Sequence, residues 1–270
     1  MKTISSDHRS FKGINSASLV LLVSFGIAVV VYLFVFGYSG NFMNNDPKNY
    51  PLPGNLLGTI YKGGIVVPVI QTLLLTVLIL SVERWFAIHR AVGKNDMTKF
   101  VSKIKDALNN NDIKKAEELC NQQGGSVGNV VYSTLQIYAQ EDADSHLTKE
   151  QKIVAIQKNI EEATSLELPS LEQNLPVIAT MTTLGTLMGL LGTVVGMIRA
   201  FAAMATAGSP DSIALSTGIS EALVNTAFGI LTGALAVVSY NFFTAKIDKI
   251  TYCIDEAGFT MVQSFAANHK

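Results

Sequence analysis

Two threonines near one end of two long apolar runs are the residues in this sequence best placed for chemistry. Thr193 lies six residues before Arg199, and Thr226 lies five residues after Glu221. On adjacent antiparallel helices rising about 1.5 Å per residue, both hydroxyls would lie at one level, roughly 7–9 Å from the same end. A hydroxyl donates and accepts hydrogen bonds without changing its charge. The pair could therefore line a water-bearing path for ions.

Angular position on the fourth apolar run leaves open which side chain faces such a path. On an ideal helix, Thr226 points about 140° away from Glu221. Asn225 instead shares a stripe with Glu221 and Thr232. Other threonines in apolar helices usually bond to the carbonyl of the fourth preceding residue, which is a structural role. The candidate ion-pathway residues are therefore Thr193, Thr226, Glu221 and Asn225.

Four apolar runs must hold these side chains, and each is long enough to cross about 30 Å of hydrocarbon as a helix. None of the four contains Asp, Glu, Lys, Arg or His. The sequence therefore predicts an all-α fold, namely a polytopic membrane helical protein with four spans and a cytoplasmic helical bundle. The runs are Ala17 to Phe36, Gly63 to Val82, Leu175 to Ile198, and Ala222 to Ala245.

The overall composition excludes several classes of function. Of the 270 residues, 49% are hydrophobic and only 15% are charged, whereas a soluble domain carries roughly 25% charged residues. Twenty basic against 21 acidic residues give no basic field for nucleic acid. The two cysteines form no CxxC pair and the four histidines are scattered. We therefore expect no disulfide scaffold, no metal, no cofactor and no enzymatic activity.

The basic residues predict the orientation in the membrane. If the N-terminus, residues 83–174 and the tail after Ala245 are cytoplasmic, only Lys48, Lys62 and Arg199 lie outside. That arrangement satisfies the positive-inside rule, so both termini are expected in the cytoplasm. The first run is longer than the 7–15 residues of a signal-peptide core, and no small-residue cleavage site follows it. We expect it to be a retained span.

The chain between the second and third runs is predicted to be a small helical bundle. Apolar residues at helical spacing indicate two short helices across 97–119, joined by an Asn-rich turn, and further helices over 127–139 and from about Leu147. Five regions follow from this division. They are the N-terminal span and outer loop (1–62), the second span and membrane exit (63–96), the cytoplasmic helical region (97–174), the hairpin with the candidate ion-pathway residues (175–245) and the cytoplasmic tail (246–270).

Small residues recur along the third and fourth runs. Such spacing lets two helix backbones approach closely and pack through van der Waals contact in lipid. The first run has no such ladder, so we expect it to face lipid. Glu83 and Arg84, which follow the second run, are expected to form a solvated pair. The glycines concerned are Gly185, Gly189, Gly192, Gly196, Gly229 and Gly233.

Two long motifs carry a resemblance to a known family. Residues 189–198 read GLLGTVVGMI, and residues 219–229 read ISEALVNTAFG and continue to VVSYN at 237–241. These motifs resemble the MotA/TolQ/ExbB proton channel family, and ExbB and TolQ more than MotA, over about 63–249. The extra first span is a departure, since ExbB-like chains commonly have three spans.

The resemblance implies a subunit of the bacterial inner membrane. It implies a homo-oligomer, a pentamer, whose third and fourth spans surround a pore holding a dimer of an ExbD- or TolR-like single-span protein. Proton-motive force would then drive energised import at the outer membrane through a TonB-like protein, or TolQ-like envelope maintenance through a TolA-like protein. Membrane lipid is the remaining expected contact. In such proteins the threonines matching Thr193 and Thr226, and the glutamate matching Glu221, are the pore positions.

The residues themselves agree with one part of this mechanism. A proton carrier must change its charge near mid-membrane, and the four runs contain no group that titrates there. A partner would have to supply the carboxylate. The alternative from another class is a passive membrane scaffold, in which the glycines and threonines of the third and fourth runs only assemble helices.

Overall fold

The computed structural model describes residues 17–143, 146–206 and 212–268. Within these ranges the regular elements are helices and no strand is present, which confirms the predicted all-α class. Residues 1–16, whose basic side chains contribute to the predicted orientation, lie outside the described residues. The α-helices are α1 (Ala17–Val30), α2 (Leu56–Lys62), α3 (Val66–Val92), α4 (Met97–Asn109), α5 (Ile113–Gln123), α6 (Gly125–Ala143), α7 (Lys149–Glu172), α8 (Leu175–Thr206) and α9 (Ser212–Asn268).

Among the residues that the structure describes, four helical stretches are long and apolar enough to cross a membrane, and each overlaps one of the apolar runs. The predicted number of spans is therefore confirmed. The helices extend past the runs because a run ends where the composition becomes polar, whereas backbone hydrogen bonding continues through polar residues. α9, for example, is continuous beyond Ala245 to its end at Asn268. The stretches are Ala17–Phe36, Val66–Asn109, Lys149–Ala202 and Leu215–Asn268.

One compact unit consists of residues 83–143, 146–173 and 242–268. Asp96 caps α4 and Asp112 caps α5, each by accepting a backbone N–H bond of 3.0 Å. The two short helices predicted across 97–119 and the two helices predicted after them are confirmed by α4 to α7. Side chains buried to 1% exposure or less form its core, and they include Ile104, Leu108, Leu135, Ile156, Ile250 and Phe265.

Arg84 is completely buried in this unit, so the expectation of a solvated Glu83–Arg84 pair is wrong. Its guanidinium pairs with the Glu83 carboxylate. It also donates to the carbonyl oxygens of Ser170 at 3.1 Å and Leu171 at 3.3 Å. The last carbonyls of a helix have no partner within it and form the negative end of its dipole. Arg84 therefore caps the C-terminus of α7, a contact that neighbouring sequence could not indicate.

The second compact unit comprises the remaining described residues. α8 and α9 approach each other closely within it, as the glycine ladder predicted. A Cβ atom on Gly229 would lie only 2.5 Å from the Cα of Gly189 and 2.6 Å from the carbonyl oxygen of Gly185. The two backbones are therefore in direct contact, which is the packing expected of small residues in a membrane.

α1 is exposed around most of its circumference, as the sequence led us to expect. Leu22, for example, is 70% exposed. A narrow stripe is the exception, since Val20, Ser24 and Ala28 are buried at intervals of one helical turn. The absence of a glycine ladder therefore did not exclude packing of α1 along one side.

We expect Gly229→Ala to destabilise the chain by about 1–3 kcal/mol, the usual cost of overpacking. The added methyl group would collide with backbone atoms of α8, and these cannot move aside as a flexible side chain does. Gly26→Ala is the matched control, because a Cβ there meets nothing within 4 Å. Denaturation in mixed detergent micelles measures both variants, and equal stability of the two would show that the close approach is unimportant.

Candidate functional site

Thr193 on α8 and Thr226 on α9 are brought into direct contact. Their hydroxyl oxygens are within hydrogen-bond reach of each other. The Thr226 hydroxyl also lies 3.2 Å from the carbonyl oxygen of Gly189, and the Thr193 hydroxyl lies 3.4 Å from that of Ala222. Each hydroxyl has one proton, so when Thr193 donates to Thr226, Thr226 donates to Gly189. The pair is thus a short hydrogen-bonded chain between two helices, and the predicted equal depth is confirmed.

The glycines of α8 make this contact possible. A Cβ on Gly189 would lie 2.9 Å from the Cα of Gly229, and one on Gly192 would lie 2.6 Å from the Cβ of Asn225. Larger residues at these positions would separate the helices and with them the two hydroxyls. The ladder, interpreted from sequence as packing alone, therefore also positions Thr193 and Thr226.

Asn225 lies on a different side of α9 from Thr226. It is 2% exposed, and its amide nitrogen donates to the carbonyl oxygen of Gly63 at 3.2 Å. Thr232, on the same stripe, is completely buried and donates to the carbonyl of Phe228 at 2.8 Å. The stripe thus faces the interior of the unit. Asn225 packs against Gly192 of α8 and hydrogen-bonds to the segment that precedes α3, whereas Thr226 hydrogen-bonds to α8.

Glu221 is half-buried and lines a cavity of about 350 Å³. Arg199 of α8 and Asn225 of α9 line the same cavity. Lys62, the last residue of α2, and Lys48, in the loop before it, complete its charged wall. The sequence placed Arg199 and Glu221 at the same end of two antiparallel helices, but the two lysines were not anticipated, because they lie far from Glu221 along the chain.

Comparison with known proteins finds one family to which the chain is similar. Residues 128–256 match the family model of the MotA/TolQ/ExbB proton channel family. The chain is 28% identical over 204 residues to the Tol-Pal system protein TolQ of Haemophilus influenzae, covering 73% of this chain and 87% of that protein. It is 32% identical over 88 residues to the Tol-Pal system protein TolQ of Pseudomonas aeruginosa, covering 33% of this chain and 38% of that protein. These matches support the predicted resemblance to the MotA/TolQ/ExbB proton channel family, close to TolQ and ExbB.

Similarity to the MotA/TolQ/ExbB family, together with the apolar helices, indicates what general type of protein this is. It is a multi-pass inner-membrane protein and a stator-like proton-channel subunit of the Tol/Exb type. The family is one of proton channels and not a known class of enzymes. Proteins of the Tol/Exb type work in complexes with TolR- or ExbD-like partners.

The region matched by the MotA/TolQ/ExbB family model includes all four candidate residues but not all of their surroundings. Thr193, Thr226, Glu221 and Asn225 lie within 128–256. The lysines of the cavity and the Gly63 carbonyl that binds Asn225 lie outside it. The candidate site therefore combines parts of α8 and α9, which the family model matches, with residues of the segment 48–63, which it does not match.

Proposed function

We propose that this protein conducts protons at the Thr193–Thr226 contact together with a single-span partner of the ExbD or TolR type. The partner's carboxylate would accept and release the proton, and the two hydroxyls would hydrogen-bond to it or to its water. Five copies would surround the partner, with both termini of each chain in the cytoplasm. Glu221 and Asn225 would lie on the outer approach to this path.

The observation that carries this proposal is the hydroxyl pair itself. Two threonines from different helices share one hydrogen-bonded contact at equal depth. Four other threonines of the same helices, Thr180, Thr186, Thr232 and Thr260, bond to a carbonyl of their own helix, as Thr180 does with that of Pro176 at 2.8 Å. The pair also lies in apolar runs without an ionisable side chain, so the titrating group must come from elsewhere.

We further propose that the proton current performs work at the outer membrane. Energised import through a TonB-like protein is one form of this work. Envelope maintenance through a TolA-like protein is the second candidate, and the two relatives favour it because both are Tol-Pal system proteins. The two forms of work use the same proton path. They differ in the protein that carries the work to the outer membrane, which is TonB-like in import and TolA-like in envelope maintenance.

A double variant in cells tests the proposal. Thr193→Val with Thr226→Val should abolish energy-dependent function and leave insertion and assembly nearly intact, since a hydroxyl contact between membrane helices averages about 0.6 kcal/mol. Thr180→Val is the matched control and should retain function. Uptake assays report the import form, detergent sensitivity reports the envelope form, and native gels report assembly.

The passive scaffold makes the opposite prediction for the same cells. If the hairpin only assembles helices, the double variant should retain both uptake and detergent resistance whenever it assembles. Full function in an assembled double variant would therefore disprove the proton path at this contact.

A further inference from the structure

The cavity beside Glu221 is formed by two parts of one compact unit. One wall comes from residues 39–62, a segment that we call the cap. The other wall comes from α8 and α9, including Arg199 and Glu221. Its volume of about 350 Å³ falls within the range of small-molecule pockets, about 300–1,000 Å³.

The cap is held in place by a defined set of contacts. The ring of Tyr61 stacks on that of Tyr32 with centroids 4.7 Å apart, and the Tyr32 hydroxyl donates to the Tyr61 carbonyl at 2.9 Å. Asn41 donates to the carbonyl of Val35 at 2.9 Å and accepts from the Asn55 amide at 3.1 Å. The cavity wall is therefore built by specific side-chain bonds.

Two of the cations on the cavity are positioned by their own contacts. The Lys62 ammonium donates to the carbonyl oxygen of Lys48 at 3.1 Å and lies 5.6 Å from the ring centre of Phe42. That bond uses one of its three protons. The guanidinium of Arg199 lies over Gly64, where a Cβ atom would be 2.4 Å from Nη1. The absence of a side chain at Gly64 leaves the room that Arg199 occupies.

The charges of the cavity wall are unequal. Lys48, Lys62 and Arg199 converge from three different elements, whereas Glu221 is the acidic residue among the described residues that line the cavity. A cation entering the cavity would meet a net positive wall, and an anion would be attracted. Lysine and arginine are also the side chains that bind phosphate, the first as a point charge and the second through parallel N–H donors.

We propose that this cavity binds a phosphate group, carried by a lipid headgroup or by a free anion. Lys62 and Arg199 bind its oxygens from opposite walls, and Lys48 adds positive charge at the rim. Glu221 opposes binding by like-charge repulsion and limits its strength. The site borders the outer approach to the proposed proton path, because Glu221 and Asn225 line the same cavity, but its ligand contacts lie on the cap and at Arg199 and involve neither Thr193 nor Thr226.

Two binding measurements on the purified full chain distinguish a lipid headgroup from a free anion as the source of the bound phosphate group. Calorimetric titration of the detergent-solubilised chain with inorganic phosphate reports a free anion. Native mass spectrometry from nanodiscs of phosphatidylcholine with a minority of phosphatidylglycerol reports retained lipid. Phosphate binding without lipid retention identifies a free anion, and selective retention of phosphatidylglycerol identifies a headgroup. Either result supports the proposal when the variants below behave as expected.

Charge variants decide whether the bound group is in this cavity. Lys62→Gln and Arg199→Gln should each weaken binding about tenfold, in line with the loss of a hydrogen bond to a charged group. Glu221→Gln should strengthen binding about tenfold, since it removes a like charge. A misfolded protein would not bind more tightly. A gain of affinity in Glu221→Gln therefore tests the proposal even if Lys62→Gln or Arg199→Gln fails to fold. Lys103→Gln, an exposed lysine on α4 in the other unit, is the control.

Three outcomes would overturn the proposal. The first is the absence of binding of both inorganic phosphate and phosphatidylglycerol. The second is binding that Lys62→Gln and Arg199→Gln leave unchanged, or that Lys103→Gln weakens equally. The third is weaker binding in Glu221→Gln, which would show that the carboxylate holds the ligand instead of repelling it. None of these depends on whether the chain conducts protons.

Discussion

Arg84→Ala is expected to lower the free energy of unfolding by about 3–5 kcal/mol, the usual cost of removing one partner from a buried ion pair. Arg84 is completely buried with Glu83 beside it at 9% exposure, so the variant leaves a nearly buried carboxylate without its cation. It also removes the donors to the carbonyls of Ser170 and Leu171. Both losses act at the C-terminus of α7.

Denaturation of the full chain in mixed micelles measures this effect, and the one tryptophan provides the signal. Trp85 stacks on Phe242 with ring centroids 5.7 Å apart, so its fluorescence reports unfolding next to Arg84. The control is the double variant Glu83→Leu with Arg84→Met, which should recover most of the loss because it removes both charges. A loss below about 1 kcal/mol in Arg84→Ala, the value of an exposed pair, would contradict the buried capping role.

Purified alone and reconstituted in liposomes, the chain is expected to conduct protons scarcely faster than protein-free membranes. Adding its single-span partner should produce a measurable proton flux. The reason is that Thr193 and Thr226 cannot take up a net proton, and the four apolar runs contain no side chain that can. A pH-sensitive dye inside the liposomes records the difference under an applied voltage.

The partner's carboxylate provides the control for this experiment. Flux should vanish when that carboxylate is replaced by its amide, while the complex remains assembled. Rapid voltage-driven flux through this chain alone, lost on Thr226→Val, would instead show that a water wire through the threonines suffices.

The lengths of the apolar runs and the spacing of residues along them predicted the features that depend on one helix or on one helical hairpin. Apolar run length gave the four spans, and residue spacing from the ends of two antiparallel helices gave the pairing of Thr193 with Thr226. The glycine ladder likewise predicted the close approach of α8 and α9. These features follow from helix rise and side-chain size, which are properties of the local sequence.

Contacts between distant parts of the chain could not be predicted in this way. Arg84 is followed by an aromatic membrane-exit segment, and nothing nearby indicates that α7 ends against its guanidinium. Asn225 could be placed on a stripe, but its partner Gly63 belongs to another part of the chain. Lys62 was interpreted only as an outer basic residue, although it shares a cavity with Glu221.

Proton flux through the reconstituted complex with the single-span partner shows whether the Thr193–Thr226 contact lies on the proton path. A hydrogen bond to a charged group contributes about 1.5–3 kcal/mol, so each threonine-to-valine variant should slow flux at least about tenfold. The control Thr180→Val should conduct like the original chain. If Thr193→Val and Thr226→Val complexes assemble normally and conduct at the original rate, the account of the proton path is wrong.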